Sequence, residues 1–292
     1  MKTKKIELYI HIPFCKSKCR YCDFCSFQAE NAVIDDYITK LKEELIFWGK
    51  KLTKEEVVTV FIGGGTPSYL KEQYIKEICN VIFQYFKVSE NAEITIEANP
   101  GTVDLKKLCT YRESGINRIS FGLQSTIQEE LQYLGRIHTY EQFLQCYNWA
   151  REAGFCNISV DLMSAIPKQT IHSYEKNLRT IAELSPEHIS AYSLIIEEGT
   201  PFYEDENLED LLPSEEDEVR MYQMTAQILK EYGYEQYEIS NYARKGKECI
   251  HNLGYWSGIP YLGFGLGASS YFEGTRFSNE KNLEEYQKKP YV

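Results

Sequence analysis

Three cysteines in one short segment offer the clearest chemistry in this chain. Cys15, Cys19 and Cys22 stand four and three residues apart, close enough to share one tight loop. Thiolates at these spacings can converge on a single metal centre, yet they supply three soft ligands where a structural zinc or a complete iron–sulfur cluster takes four. A three-cysteine set leaves one iron of a [4Fe–4S] cluster open to an outside ligand. A zinc loop with a distant fourth ligand and a chance grouping of thiols are the alternatives.

A glycine-rich segment and two carboxylates add polar chemistry. Residues 63–67 read Gly-Gly-Gly-Thr-Pro, and glycine lets backbone N–H and C=O groups approach a ligand closely. A simple turn is the alternative for this segment. Glu97 and Asp161 are flanked by apolar residues, and a buried carboxylate needs a partner. Hydroxyl or ammonium groups of a ligand would serve, and a salt bridge within the fold is the alternative.

The elements that must hold these residues alternate between short apolar runs and longer helical patterns. The predicted strands are 7–12, 59–62, 93–98, 117–122, 157–162 and 188–194. The predicted helices between them are 33–48, 71–86, 104–114, 140–153 and 171–184. This repeat predicts an α/β fold with a parallel sheet and outer helices, and six units fall short of the eight in a closed barrel. We therefore predict a partial (β/α)6 barrel.

The candidate site residues lie where the predicted strands end. The cysteine loop follows the first strand and segment 63–67 follows the second, while Glu97 ends the third. Gln124 follows the fourth strand and Asp161 ends the fifth. Because chemistry collects at the carboxyl ends of the strands in such folds, these positions predict one shared site.

The alternation breaks after residue 194. An acidic loop leads to one more predicted helix, 215–231, and then to segment 234–271, which is rich in glycine, aromatic residues and turns. We predict two domains, with residues 1–200 as the partial barrel and residues 201–292 as an α+β C-terminal extension.

Composition restricts the compartment and the partners. The 292 residues are 43% hydrophobic, with no apolar run long enough to cross a bilayer and no signal-peptide pattern at the N-terminus. Nine cysteines, an odd and unevenly spaced set, make a poor disulfide framework, so we predict a cytoplasmic protein. The net charge is −11, and eleven carboxylates lie within 197–218 without a Lys or Arg. Such a surface repels nucleic acid, which we do not expect as a partner.

The cysteine loop and the glycine segment together resemble the signature of the radical S-adenosylmethionine (SAM) superfamily. There the open iron of a [4Fe–4S] cluster is chelated by the amino and carboxylate groups of SAM, and the reduced cluster splits the sulfonium. The resemblance implies that Cys15, Cys19 and Cys22 hold the cluster, that SAM is a cofactor, and that a reducing electron donor is a partner.

Further segments resemble one branch of the superfamily, the oxygen-independent coproporphyrinogen III dehydrogenases (HemN) and the HemW haem chaperones. The resemblance runs from residue 9 to residue 286 and includes segments 11–15, 63–67, 97–100, 120–125, 135–138 and 237–242. It implies that Tyr9, Gly64 and Glu97 contact the cluster-bound SAM. It also implies a second SAM position, lined by Tyr21, Gly65, Thr66, Gln124, Arg136 and Asp161.

Two details separate the members of this branch. The dehydrogenases carry a fourth motif cysteine two residues past the third, and that position here is Phe24, as in the chaperones, with Cys25 one residue further on. Segment 251–256 resembles the HNxxYW haem-binding motif of the chaperones. Imidazole can ligate haem iron and aromatic rings can pack on a macrocycle, so the resemblance implies that His251 binds haem. A structural histidine is the alternative.

The resemblance therefore favours a haem chaperone that binds a [4Fe–4S] cluster, SAM and haem and passes haem to an acceptor protein. The alternative is a radical SAM enzyme, either a coproporphyrinogen III dehydrogenase or a related SAM-dependent oxidoreductase. The SAM segments fit both, so enzymatic status stays open, as do a weak membrane-surface association and the oligomeric state. The chaperones usually continue for another small domain, which we expect to be missing from this sequence.

Overall fold

The computed structural model describes residues 4–288, and its first two thirds follow the predicted alternation. The strands are β1 (Lys4–Ile12), β2 (Glu55–Gly64), β3 (Val88–Ala98), β4 (Arg118–Gln124), β5 (Ile158–Ser164) and β6 (His188–Ser193). The helices between them are α1 (Asn31–Lys51), α2 (Glu72–Tyr85), α3 (Leu105–Glu113), α4 (Gln128–Tyr133), α5 (Tyr140–Glu152) and α6 (Ile171–Glu183). Each predicted strand and helix overlaps an observed one, and the short helix α4 was not predicted.

The rest of the chain is richer in strands than the sequence indicated. It forms helix α7 (Glu215–Glu231), strands β7 (Glu235–Gln236) and β8 (Asn241–Ala243), helix α8 (Ile250–Ser257), strands β9 (Tyr261–Phe264), β10 (Ser269–Phe272) and β11 (Thr275–Ser278), and helix α9 (Leu283–Lys288). Helix α7 has the bounds that the sequence predicted.

All strands of the described chain join one sheet, in the order β11-β10-β9-β1-β2-β3-β4-β5-β6-β8-β7. Strands β1 to β6 are parallel neighbours, which confirms the predicted α/β fold with a partial barrel. The C-terminal strands extend both edges: β9 pairs parallel with β1, and β8 pairs antiparallel with β6. Within residues 4–288 the two edge strands are not hydrogen-bonded to each other, so the sheet is open. The division at residue 200 stays a prediction.

The outer helices bury one apolar face each. In α1 the buried residues Ile34, Ile38, Leu41 and Leu45 recur every three or four positions, which is the period of one helix face. Burying each of these side chains stabilises the fold by about 1.5–3 kcal/mol. Helix α5 begins with a capping box, in which the Thr139 hydroxyl accepts from the backbone N–H of Gln142. Among residues 4–288, no helix is long and apolar enough to cross a membrane.

Strand alternation decides which side chains reach the interior of the open barrel. In β1 the even-numbered residues from Ile6 to Ile12 are apolar and fully buried. Successive side chains of a strand point to opposite faces, so the odd-numbered Glu7, Tyr9 and His11 lie on the other face. The barrel interior is therefore polar and aromatic, and the functional side chains are on that side.

Candidate functional site

A cavity of about 430 Å³ opens at the carboxyl ends of β1 to β6, and we call it the inner cavity. It is bordered by the cysteine loop, by the glycine segment after β2 and by the ends of the other parallel strands. Every site residue predicted from the sequence borders it: Tyr9, Cys15, Cys19, Tyr21, Cys22, Gly64, Gly65, Thr66, Glu97, Gln124, Arg136, Asp161 and His251. The structure thus brings together residues that are up to 242 positions apart in the sequence.

The cysteine loop is fixed at its base by backbone hydrogen bonds. Cys15 N–H donates to the carbonyl of Phe27 at 3.0 Å, and Gly65 N–H donates to the carbonyl of Ile12 at 2.8 Å. Burial raises the pKa of the Cys15 and Cys22 thiols. Within residues 4–288, no three His, Cys, Asp or Glu side chains are grouped so as to hold a single metal ion. The three thiols border one cavity, but they do not converge closely enough to bind one metal ion together.

A chain of polar contacts links two of the cysteines through the strand ends. The Arg136 guanidinium donates to Cys19 Sγ at 3.5 Å and to Asn99 Oδ1 at 2.7 Å, and also to the Gly122 carbonyl. Asn99 Nδ2 donates to Thr66 Oγ1 at 2.9 Å, and Thr66 donates to Cys15 Sγ at 3.4 Å. Arg136 Nε is buried without a hydrogen-bond partner. A buried cation beside sulfur atoms favours their negatively charged, metal-binding form.

The donor set therefore fits a negatively charged iron–sulfur cluster. Three soft thiols come from one loop, and Arg136 places positive charge against Cys19. The loop packs closely on the glycine segment, since a Cβ added to Gly65 would lie 3.0 Å from Cys15 Sγ. A side chain there would fill the space beside the sulfur.

Glu97 and Gly64 form the next part of the wall. Gly64 N–H donates to Glu97 Oε2 at 3.0 Å. The backbone of Gly64 has φ +111°, and a Cβ there would lie 2.5 Å from the His11 ring, so only glycine fits. Burial, and then repulsion from the Asp161 carboxylate, raises the pKa of Glu97 to about 8. Glu97 is therefore largely protonated at neutral pH.

The far wall is built from β4, β5 and β6. Ser120 Oγ donates to Asp161 Oδ1 at 3.0 Å, and Tyr192 Oη donates to Gln124 Oε1 at 2.8 Å. Burial raises the pKa of Asp161 to about 6. This wall offers hydrogen-bonding groups that could hold a polar ligand against the cysteine loop.

Several cavity residues were missed in the sequence analysis. Asn99, which joins Arg136 to Thr66, lies in a segment that was noticed but was not named as a site residue. Tyr192 and Arg118 also border the cavity. Arg118 is the first residue of β4, and its position in the strand is the signal that could have placed it on the inner face.

His251 lies on helix α8 and is enclosed by protein. Its Nδ1 is 2.7 Å from Thr59 Oγ1 and its Nε2 is 2.9 Å from Tyr255 Oη, so both ring nitrogens have partners. The ring stacks on Phe61 with centroids 5.2 Å apart, and the residue is 2% exposed. Burial lowers its pKa to about 3, which keeps the imidazole neutral. Its predicted role as a haem ligand stays a prediction.

Glu7 lies behind this histidine. Its Oε2 is 3.9 Å from His251 Nδ1, and neither carboxylate oxygen makes a hydrogen bond. Burial raises the pKa of Glu7 to about 8. A Cβ on Gly254 would lie 1.9 Å from Glu7 Oε1, so a larger residue at position 254 would displace the Glu7 carboxyl group.

Comparison with known proteins agrees with the fold and the site described above. A model of the radical SAM superfamily matches residues 9–181, so the chain belongs to the radical SAM superfamily. It is 41% identical over 280 residues to the heme chaperone HemW of Bacillus subtilis, covering 95% of this chain and 74% of that protein. It is 39% identical to the heme chaperone HemW of Escherichia coli, covering 92% of this chain and 70% of that protein. Within the superfamily, the chain belongs to the HemW family, which confirms the resemblance seen in the sequence.

A solved structure of the same branch is also similar. The radical SAM enzyme coproporphyrinogen III oxidase (HemN) from Escherichia coli superposes with a TM-score of 0.86 and 28% sequence identity. The match covers 97% of this chain and 69% of that one. The C-terminal strands that extend both edges of the sheet therefore belong to an architecture found in a known radical SAM enzyme.

Proposed function

We propose that this protein is a haem chaperone of the HemW type, which holds a [4Fe–4S] cluster and SAM in the inner cavity and passes haem to an acceptor protein. The observation that carries the proposal is the convergence of the cysteine loop, the glycine segment and the strand-end carboxylates on one cavity. Membership of the HemW family supports the haem function. We further propose a cytoplasmic location and a reducing electron donor as a partner.

Each wall of the inner cavity has a task in this proposal. Cys15, Cys19 and Cys22 would hold the cluster, which when bound and reduced supplies an electron to the sulfonium of SAM. Glu97 would accept hydrogen bonds from the hydroxyl or ammonium groups of SAM, and Gly64 orients that carboxylate through its N–H. Tyr9 would complete this contact surface.

Residues deeper in the cavity would hold the rest of the ligand. Gln124, kept in place by the Tyr192 hydroxyl, and Asp161, kept in place by Ser120, offer acceptors on the far wall. By resemblance to the dehydrogenases, Gln124 and Asp161 would line the second SAM position together with Tyr21, Gly65, Thr66 and Arg136.

The second candidate function is a coproporphyrinogen III dehydrogenase or a related SAM-dependent oxidoreductase. It is favoured by the similarity to the HemN structure and by the same SAM residues. Phe24 argues against it, because this position lacks the fourth cysteine of the dehydrogenases.

An experiment separates the two functions. Protein with a reconstituted cluster is incubated anaerobically with SAM, a reductant and coproporphyrinogen III, and is titrated separately with haem. We expect stoichiometric haem binding, seen as a Soret band, and no decarboxylation. Robust decarboxylation would overturn the chaperone proposal in favour of the enzyme.

A further inference from the structure

Residues 197–212 form an acidic segment that contacts the cysteine loop, and we call it the strap. It carries seven carboxylates and no Lys or Arg, and the proposed function gives it no task. Of these carboxylates, Asp205 is the one that forms a salt bridge within the described part of the chain, and its partner is Arg20 of the cysteine loop. Arg20 stands between Cys19 and Tyr21, which both border the inner cavity.

The strap is anchored by apolar side chains. Phe202 and Leu208 are 1% and 3% exposed, and they belong to a second hydrophobic cluster that is separate from the main core. The other buried members of this cluster are Leu134, Met163 and Ile166. Tyr21 and Tyr192, which border the inner cavity, pack against the same cluster. The strap is therefore packed on the wall of the inner cavity, while most of its acidic side chains are exposed.

The strap contacts Arg20 through the backbone, the charge and an aromatic ring. The Arg20 N–H donates to the carbonyl of Leu134 at 3.1 Å, and the Arg20 carbonyl accepts from the N–H of Phe202 at 3.0 Å. The guanidinium lies 2.8 Å from Asp205 Oδ2 and 4.9 Å from the centre of the Phe202 ring, so a cation–π contact adds to the ion pair. The other Asp205 oxygen accepts from the N–H of Asn207 at 3.2 Å, which orients the carboxylate.

A second segment packs on Arg20. Gly135, which follows α4, has φ +73°, and a Cβ there would lie 3.1 Å from Arg20 Cγ, so glycine allows this close approach. The next residue, Arg136, donates to Cys19 Sγ at 3.5 Å. Arg20 is therefore held between the strap and the segment that brings Arg136 to the cysteine.

We propose that the strap holds the cysteine loop in its cluster-binding shape, and that Arg20 is the positioning residue through which the strap acts. The inference rests on the proposed cluster and deepens it, because it assigns a task to the acidic run. Cys19 and Tyr21 border the cavity, and Arg20 between them binds the strap. Ordering the loop before the cluster arrives lowers the conformational-entropy cost of binding.

Hydrogen exchange in cluster-free protein, read by NMR, tests the strap without any cofactor. Asp205→Asn removes the charge and keeps the size of the side chain. We expect the Arg20 amide to exchange about two- to fivefold faster in this variant, the scale of a partly exposed ion pair. Phe202→Leu removes the ring beside the guanidinium and should raise the rate by a similar factor. Asp210→Asn, which changes an exposed carboxylate of the same strap, is the matched control and should exchange like the wild type.

A double-mutant cycle shows whether Arg20 and Asp205 act as one unit. Arg20→Met removes the charge and keeps an apolar stem, and combining it with Asp205→Asn should be no worse than either change alone. Arg20→Lys keeps a cation and should retain part of the protection. About 1 M salt should screen the pair, so the wild-type rate should approach that of Asp205→Asn, whose own rate should not change.

The same variants should lose a bound cluster faster. An iron chelator should remove the cluster about two- to fivefold faster from Asp205→Asn and from Phe202→Leu than from the wild type, measured as the decay of cluster absorbance. Asp210→Asn should lose it at the wild-type rate.

Several results would overturn the inference. These are wild-type exchange at Arg20 in Asp205→Asn, an equal effect of Asp210→Asn, additive effects in the double variant, and faster exchange without faster loss of the cluster. Each of them leaves the chaperone proposal standing. Wild-type protein that takes up no cluster would overturn the chaperone proposal instead, and exchange at Arg20 would still decide whether the strap holds the loop.

Discussion

A second concavity lies beside the cysteine loop, and we call it the outer groove; it is bordered by residues that include Cys25, Tyr261 and Lys281. The inner cavity and the outer groove share part of the cysteine loop together with Tyr9 and Tyr255, but they are built in different ways. The inner cavity is lined by strand ends whose polar groups are joined in a continuous network, from Cys19 through Arg136, Asn99 and Thr66 to Cys15. The outer groove is more open, mixes aromatic side chains such as Tyr261 with charged ones such as Lys281, and takes part of its wall from the short C-terminal strands. The side chains around the inner cavity are therefore held by hydrogen bonds to one another.

The wall between the inner cavity and the outer groove contains His251 and Tyr255, which are hydrogen-bonded to each other. The buried Glu7 carboxyl group lies behind them without a hydrogen bond. Ionising a carboxyl group in such surroundings is costly, so Glu7 is a structural weakness at neutral and higher pH.

The largest expected effect is loss of the cluster, which should depend on the cysteines of the inner cavity and not on Cys25 of the outer groove. Changing Cys15, Cys19 or Cys22 to Ala should abolish cluster absorbance in reconstituted protein, because each removes one of three thiolate ligands. Cys25→Ala is the matched control, since Cys25 borders the outer groove and not the inner cavity. Equal cluster loss in Cys25→Ala would contradict the three-ligand assignment.

The cost of burying Glu7 behind this wall can be tested by measuring the free energy of unfolding. Burial raises the pKa of Glu7 to about 8, above its ordinary value of about 4.3 in the unfolded chain. An acid with a raised pKa is protonated in the fold, so its ionisation destabilises the fold as the pH rises from about 4.3 to 8. Glu7→Gln should therefore raise the free energy of unfolding by about 1–4 kcal/mol at pH 8, and by much less at pH 5.

Urea unfolding of cluster-free protein at both pH values measures this gain. The exposed Glu113, at the end of α3, provides the control, and Glu113→Gln should change stability little at either pH. A gain that does not grow with pH would mean that Glu7 is already ionised and paired in solution.

A third effect should be confined to the inner cavity. Glu97→Ala should weaken SAM binding by about 1–3 kcal/mol, the scale for removing one partner of a hydrogen bond to a charged group. Calorimetry on cluster-loaded protein measures it, with Glu183→Ala on the outer helix α6 as the control. An unaltered SAM dissociation constant would make Glu97 a purely structural carboxylate.

The two regions also differ in how far the sequence could predict them. The six parallel strands were predictable because each combines a short apolar run with a following helix, and their ends placed the cysteine loop, Glu97 and Asp161 together. The C-terminal strands, such as the two-residue β7, are too short to show a period, and their partners lie far away in the sequence.

The pairing of side chains could not be predicted from the sequence for a similar reason. The HNxxYW segment pointed to haem through His251, but the burial of that ring depends on Thr59 and Phe61, which lie on a strand 190 or more residues earlier. Only the folded sheet shows that Tyr255, rather than His251, is the exposed member of the pair.

The smallest expected effect is the pH dependence of SAM binding, which tests whether burial raises the pKa of Glu97. With the pKa of Glu97 raised to about 8, binding to the ionised carboxylate must first remove a proton. SAM affinity should therefore rise with pH, by at most about tenfold per unit between pH 6 and 8, and level off above that. Asp161, whose pKa is raised to about 6, adds to the slope only below that pH, while the neighbouring Arg118 stays charged throughout. Glu97→Gln should flatten the profile between pH 6 and 8, and Glu183→Gln should leave it unchanged. A flat profile in the wild-type protein would show that SAM binding does not require Glu97 to be ionised.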